Sequence, residues 1–102
     1  MATLNIINKS PFEKRSLEQC LSRISSGDAL LLIEDATVVA ASGTAYEDKL
    51  VTAGKDHSLY VLAPDLEARG FADSKLVDGF NSLDYKGFVA LAAEYDRVHS
   101  WL

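Results

Sequence analysis

Three short, mostly apolar segments, at residues 4–7, 29–33 and 59–63, mark the first two thirds of the chain. The second, ALLLI, is a continuous apolar run bounded by acidic residues on both sides, and the third, LYVLA, is similar. Continuous apolar runs of this length are typical of strands that are covered on both faces, as in parallel sheets. The pattern therefore predicts a short first strand and two buried strands.

A first helix is predicted between the first two strands. Ser10 and Ser16 each begin a pattern in which a glutamate or glutamine follows three residues later, so the helix has two candidate starts. The residues that then fall on one helical face are Phe12, Leu17, Cys20, Leu21 and Ile24. Gly27 fits the position just after the helix.

The remaining elements are shorter and less regular. Residues 36–54 predict one or two short helices, and Pro64-Asp65 opens another that ends at Gly70. Residues 76–77 or 80–83 are candidates for a fourth or fifth strand. Asp84 is expected to cap a C-terminal helix whose apolar positions continue to Val98, with Trp101-Leu102 at its end.

Strands that alternate with helices predict an α/β fold. We expect a single small domain over residues 1–102, with a parallel sheet of about four to five strands and helices on both faces. In such sheets, ligands gather at the carboxyl ends of the strands. Those ends correspond here to residues 8–12, 34–37 and 63–66.

Composition and charge narrow the function classes. The 102 residues are 48% hydrophobic and 25% charged, as in ordinary globular proteins, and 15 acidic residues against 10 basic ones give a net charge of −5. This balance argues against direct nucleic-acid binding. Neither an apolar segment of membrane-spanning length nor a secretory signal pattern is present, so we expect no membrane association and a cytoplasmic location.

Cys20 is the only cysteine, which excludes an intramolecular disulfide and a paired-cysteine metal or redox site. Its place among Leu17, Leu21 and Ile24 favours a small core residue. The alternative is a reactive thiol activated by the positive charges of Lys14, Arg15 and Arg23, although Cys20 lies well inside the predicted helix.

The other polar candidates have structural alternatives. The loop at residues 8–12 suits an anion at a helix N-terminus, but a plain loop with a helix cap is favoured. Glu34-Asp35 lacks further acidic ligands, so Asp35 is expected to cap a helix rather than bind a metal. His57 and His99 stand alone, and we expect no metal and no cofactor. Trp101-Leu102 either packs on the sheet or contacts another subunit.

Four segments together resemble the DsrH/TusB family. They are INKSPF (7–12), GDALLLIEDATVVAA (27–41), YVLAPDLEARG (60–70) and LDYKGFVALAAEYDRVHSW (83–101), and they cover nearly the whole chain. Within this family, Cys20 favours the DsrH branch of sulfur-oxidising bacteria, because several TusB relatives lack a cysteine at the corresponding position.

The resemblance implies a subunit of a heterohexameric sulfur-transfer complex. Two copies of this chain would assemble with two each of homologous DsrE/TusD-like and DsrF/TusC-like subunits, and the DsrE/TusD-like subunit would carry the principal cysteine. Sulfane sulfur would pass by thiol–persulfide exchange to a DsrC/TusE-like carrier protein, with Cys20 as a candidate acceptor.

Several functions remain open at this point. The preferred one is a DsrEFH-type relay in sulfur oxidation. The alternatives are a TusB-type subunit for 2-thiolation of the tRNA wobble uridine, a purely structural subunit that carries no sulfur, and an independent anion-binding domain that uses the Ser10-Pro11 helix start.

Overall fold

Five strands, each parallel to its neighbours, form one sheet in the computed structural model, which describes residues 2–71 and 73–101. The strands are β1 (Thr3–Ile7), β2 (Ala29–Leu32), β3 (Ser58–Leu62), β4 (Phe80–Leu83) and β5 (Arg97–Trp101). Their order across the sheet is β4-β3-β2-β1-β5. The first four strands therefore advance in one direction, and β5 returns to the other side of β1.

Helices connect the strands. They are α1 (Ser16–Arg23), a 3-10 helix (Glu34–Ala40), α2 (Glu47–Ala53), α3 (Ala63–Ala68) and α4 (Tyr85–Glu94). These elements confirm the predicted parallel sheet and the two short helices expected around residues 36–54, the first of which begins two residues earlier. Of the two candidates for a further strand, residues 80–83 form β4, whereas Leu76 forms only an isolated bridge with Ala41.

The first helix begins at the later of its two candidate starts, Ser16. The earlier start forms a turn instead, because the Ser10 carbonyl accepts hydrogen bonds from the Glu13 and Lys14 N–H groups, both at 3.0 Å. The Ser10 hydroxyl accepts from the Phe12 N–H at 3.3 Å.

The C-terminal segment corrects the sequence prediction. Asp84 does cap α4, and its Oδ1 accepts from the Gly87 N–H at 2.7 Å. However, α4 ends at Glu94, and Val98 and Trp101 lie in β5, where they pair with Leu4 and Ile7 of β1. Without β5, β1 would form an open edge of the sheet, and the pairing satisfies the backbone groups along that edge. Leu102 lies outside the described residues.

Helices cover both faces of the sheet, as expected. On the first face, α1, the 3-10 helix, α2 and α3 bury the strand residues Ile7, Leu30, Leu32, Leu59 and Val61. On the second face, Phe88, Leu91 and Ala92 of α4 pack against a smaller cluster around Leu4 and Leu31. None of the helices in the described part of the chain has the length and apolarity that a bilayer crossing requires.

Candidate functional site

Cys20 lies on the buried side of α1, with its side chain inaccessible to solvent. It packs with Leu17 in the core of the first face, which confirms the interpretation that it occupies a core position. Burial raises the pKa of the Cys20 thiol to about 12, and the negative charge of Asp28 adds to the increase. At neutral pH only about one thiol in 100,000 would then be ionised. The role of Cys20 as a sulfur acceptor stays a prediction, and this environment argues against it.

The charge that the fold brings toward Cys20 is negative rather than positive. Lys14, Arg15 and Arg23, which the sequence offered as activating cations, are exposed. Asp28 is nearly buried, and its carboxylate accepts from the Thr3 N–H at 2.9 Å and from the Ser25 N–H at 3.0 Å. Asp28 thereby ties the connection between α1 and β2 to β1. Sequence spacing gave no sign that this residue faces Cys20, because the turn after α1 brings it back.

The carboxyl ends of β2 and β3 are joined by an acidic network. The Glu34 N–H donates to Asp65 Oδ2 at 2.7 Å, and the Tyr85 hydroxyl lies 3.5 Å from Asp65 Oδ1. Asp35 was predicted to cap a helix, and this prediction is wrong. Its Oδ1 instead forms an ion pair with Arg69, whose Nη2 is 2.9 Å away. Arg69 thus neutralises Asp35, while Asp65 is held by hydrogen bonds to uncharged groups.

The loop at residues 8–12 does not present a helix N-terminus, because α1 begins only at Ser16. Tyr46 closes over the loop: its hydroxyl donates to the Pro11 carbonyl at 3.1 Å, and its ring meets Phe12 edge to face at 5.3 Å. Within residues 2–71 and 73–101, the Asn8 Oδ1 is buried and has no hydrogen-bond partner. The alternative of an anion site at a Ser10-Pro11 helix start is therefore not formed, and Ser10 lies in a turn rather than at a helix cap.

The two histidines make separate contacts. His57 Nδ1 is 3.2 Å from the Asp28 carbonyl oxygen, and the His99 ring stacks on Trp101 with 4.6 Å between centroids. Across the part of the chain that the structure describes, no three His, Cys, Asp or Glu side chains are grouped as metal ligands.

A groove of about 540 Å³ opens between the end of α1 and the β1–β5 edge of the sheet. Arg23 of α1 and Arg97, His99 and Trp101 of β5 contribute to its lining. The buried Asn5 holds Trp101 in place, since Asn5 Oδ1 accepts from the indole Nε1–H at 3.1 Å. The sequence pattern did not reveal this groove, because it predicts these β5 residues in the last turns and at the end of a helix.

Exposed apolar side chains lie on the second face. Tyr85 and Val89 of α4 are 58% and 69% exposed, and Val98 of β5 is 49% exposed. Tyr85 and Val89 are four residues apart and so share one side of α4. Large apolar side chains exposed together are characteristic of protein interfaces.

Comparison with known proteins identifies relatives along nearly the whole chain. The family model described as "DsrH like protein" matches residues 9–98. Protein TusB of Pectobacterium parmentieri is 32% identical over 98 residues, covering 96% of this chain and 99% of that protein. Protein TusB of Photorhabdus laumondii is 30% identical over 100 residues, with the same two coverages.

Solved structures support the fold. The crystal structure of the ychN protein from E. coli superposes with a TM-score of 0.74 at 17% identity, covering 98% of this chain and 99% of that one. The structure of MTH1491 from Methanobacterium thermoautotrophicum gives a TM-score of 0.72 at 9% identity, covering 96% and 97%. With its sequence matched over residues 9–98 and its fold shared with these structures, the chain belongs to the DsrH/TusB family.

Proposed function

We propose that this chain is a TusB-type subunit of a sulfur-relay complex that serves 2-thiolation of the tRNA wobble uridine. The observation that carries the proposal is the similarity to proteins named TusB, at 32% and 30% identity along nearly their whole length. These relatives favour the tRNA-thiolation alternative over the sulfur-oxidation branch that Cys20 had indicated.

Within the complex, the chain acts as a structural subunit and Cys20 carries no sulfur. In persulfide exchange, a thiolate attacks the outer sulfur of a donor, a new S–S bond forms, and the donor leaves as a thiolate. The acceptor must therefore be ionised and accessible. Cys20 is fully buried, and burial raises its pKa to about 12. The sulfur-carrying cysteine then belongs to a homologous partner subunit.

The partners are homologous TusC-like and TusD-like subunits and a TusE-like carrier protein. The exposed Tyr85, Val89 and Val98 support a subunit contact on the second face, where α4 packs. Aromatic residues are enriched at such interfaces. The net charge of −5 also fits a chain that contacts proteins rather than RNA.

Deleting the gene in its source organism tests the assignment. We expect the 2-thiouridine content of tRNA, measured by nucleoside mass spectrometry, to fall at least tenfold and to recover when the wild-type gene is restored. Unchanged 2-thiouridine together with impaired oxidation of stored sulfur would contradict the proposal and return the chain to the sulfur-oxidation branch.

A further inference from the structure

We propose that the groove between α1 and β5 binds an extended acidic segment of a partner protein, which adds to the sheet as a further strand beside β5. The proposal rests on the strand edge and on the charges that line the groove, and it does not depend on the sulfur-relay function.

The outer edge of β5 is available for pairing. On its inner side β5 pairs with β1, and no strand within residues 2–71 and 73–101 pairs with its outer side. The strand contains neither proline nor glycine, and residues 97–100 are exposed. An open edge of this kind presents unpaired backbone N–H and C=O groups, which extended peptides recognise by adding a strand.

The groove beside this edge is cationic, although the chain is acidic overall. Arg23 and Arg97 both line it, and neither forms an ion pair with another residue in the described part of the chain. Asp28 is the one acidic residue among the described lining residues, and backbone N–H groups already bind both of its oxygens. The unpaired charges therefore select a segment with carboxylates.

The alternation of β5 places different side chains on its two sides. Arg97, His99 and Trp101 share the side that faces the groove, while Val98 lies opposite, beside Leu4 of β1. Side chains of an added strand would alternate in the same way, about 5 Å from their neighbours. The fitting segment has acidic residues beside Arg97 and His99 and apolar residues beside Val98 and Trp101.

The same charges disfavour a second copy of this chain as the occupant. Pairing two β5 strands could bring Arg97 of one copy toward Arg97 of the other, and β5 has no acidic side chain to offset these like charges. In contrast, the groove wall is preformed for a partner: Trp101 is fixed by its bond to Asn5 and by the His99 ring, whose plane lies 15° from its own.

A capped peptide, Thr-Glu-Val-Glu-Thr-Leu-Thr, serves as the probe, with NMR titration of the isotope-labelled full chain as the measurement. We expect amide shifts confined to β5 and the end of α1, together with a shift of the Trp101 indole N–H. A peptide with lysine in place of both glutamates should bind at least tenfold more weakly. A peptide N-methylated at alternate positions should also bind at least tenfold more weakly, because it cannot pair with the strand edge.

Two variants separate the groove from general charge effects. Arg97→Glu should weaken binding of the acidic peptide at least tenfold, whereas Lys86→Glu, the same charge change at an exposed position on α4, should leave it within twofold. Absence of β5 shifts at millimolar peptide, equal binding of the lysine peptide, or preferential binding of a uridine oligonucleotide in the groove would each overturn the proposal.

Discussion

Cys20 shows how its surroundings determine what a single thiol can do. The sequence correctly placed it on the apolar face of a helix, because the spacing of Leu17, Cys20 and Ile24 is a local property. The sequence could not reveal Asp28, whose carboxylate reaches α1 only after the chain turns into β2. Burial and this negative charge both favour the neutral thiol, which is the state that does not exchange sulfur.

The raised pKa of Cys20 predicts a pH-dependent stability. Below pH 9 the thiol is protonated in both folded and unfolded chains, whereas between pH 9 and 12 the unfolded chain releases a proton that the folded chain keeps. Stability is therefore lost as pH rises through this interval. From pH 8 to pH 10 the free energy of unfolding should fall by roughly 1 kcal/mol more in the wild type than in Cys20→Ala.

Urea unfolding of both proteins at the two pH values measures this difference. The contribution of Tyr95, whose pKa burial also raises, is common to both proteins and cancels. Equal pH dependence of the two proteins would mean that Cys20 ionises in the folded state much as it does in the unfolded chain. Its sulfur chemistry would then be open again.

At the scale of elements, the buried strands were predictable from the sequence, whereas the edge strand β5 was not. All residues of β2 are buried, because helices cover both faces of the sheet there, and its sequence is therefore an unbroken apolar run. In β5, Arg97–Ser100 are exposed. The apolar residues Tyr95 and Val98 are three positions apart, which also fits a continuing helix. Pairing with β1, more than 90 residues away in sequence, determines the strand. The spacing of apolar residues near β5 does not indicate this distant pairing.

The exposed side of α4 leads to a prediction about assembly. Val89→Asp should abolish co-purification with the homologous subunits, because a carboxylate would have to be buried in the interface. Since Val89 is 69% exposed, the change should alter the free energy of unfolding by only about 0.5 kcal/mol. Gln19→Asp, at an exposed position of α1 on the other side of the sheet, is the matched control.

Size-exclusion chromatography of the co-expressed subunits, with circular dichroism of the isolated chain, makes this measurement. An intact complex containing Val89→Asp would place the subunit contact elsewhere. Equal loss of the complex with Gln19→Asp would also contradict a contact specific to α4.

At the scale of the whole molecule, the candidate chemistry moved away from the strand ends that the fold class indicated. At the carboxyl ends of β2 and β3, hydrogen bonds join Asp65 to Glu34 and Tyr85, and Asp35 forms an ion pair with Arg69 beside them. The open groove lies instead beside Thr3 and Arg97, where β1 and β5 begin. Because residues of β5 form one wall of the groove, the sequence pattern, which did not predict β5, did not reveal the groove.

On the proposed function, exposed positions contact the partners and the one thiol stays inside. Tyr85 and Val89 are exposed on α4, the groove flanks β5, and Cys20 of α1 is buried in the core. This arrangement suits a subunit that shapes a relay complex while the sulfur passes through other chains.

Whether Cys20 carries sulfur can be measured directly. The reconstituted complex and its carrier protein are incubated with a persulfide donor, and the intact subunits are then analysed by mass spectrometry. We expect added sulfur on a partner subunit and on the carrier, none on Cys20, and transfer by the Cys20→Ala complex within twofold of the wild-type rate. Sulfur found on Cys20, together with at least a tenfold loss of transfer in Cys20→Ala, would contradict the account.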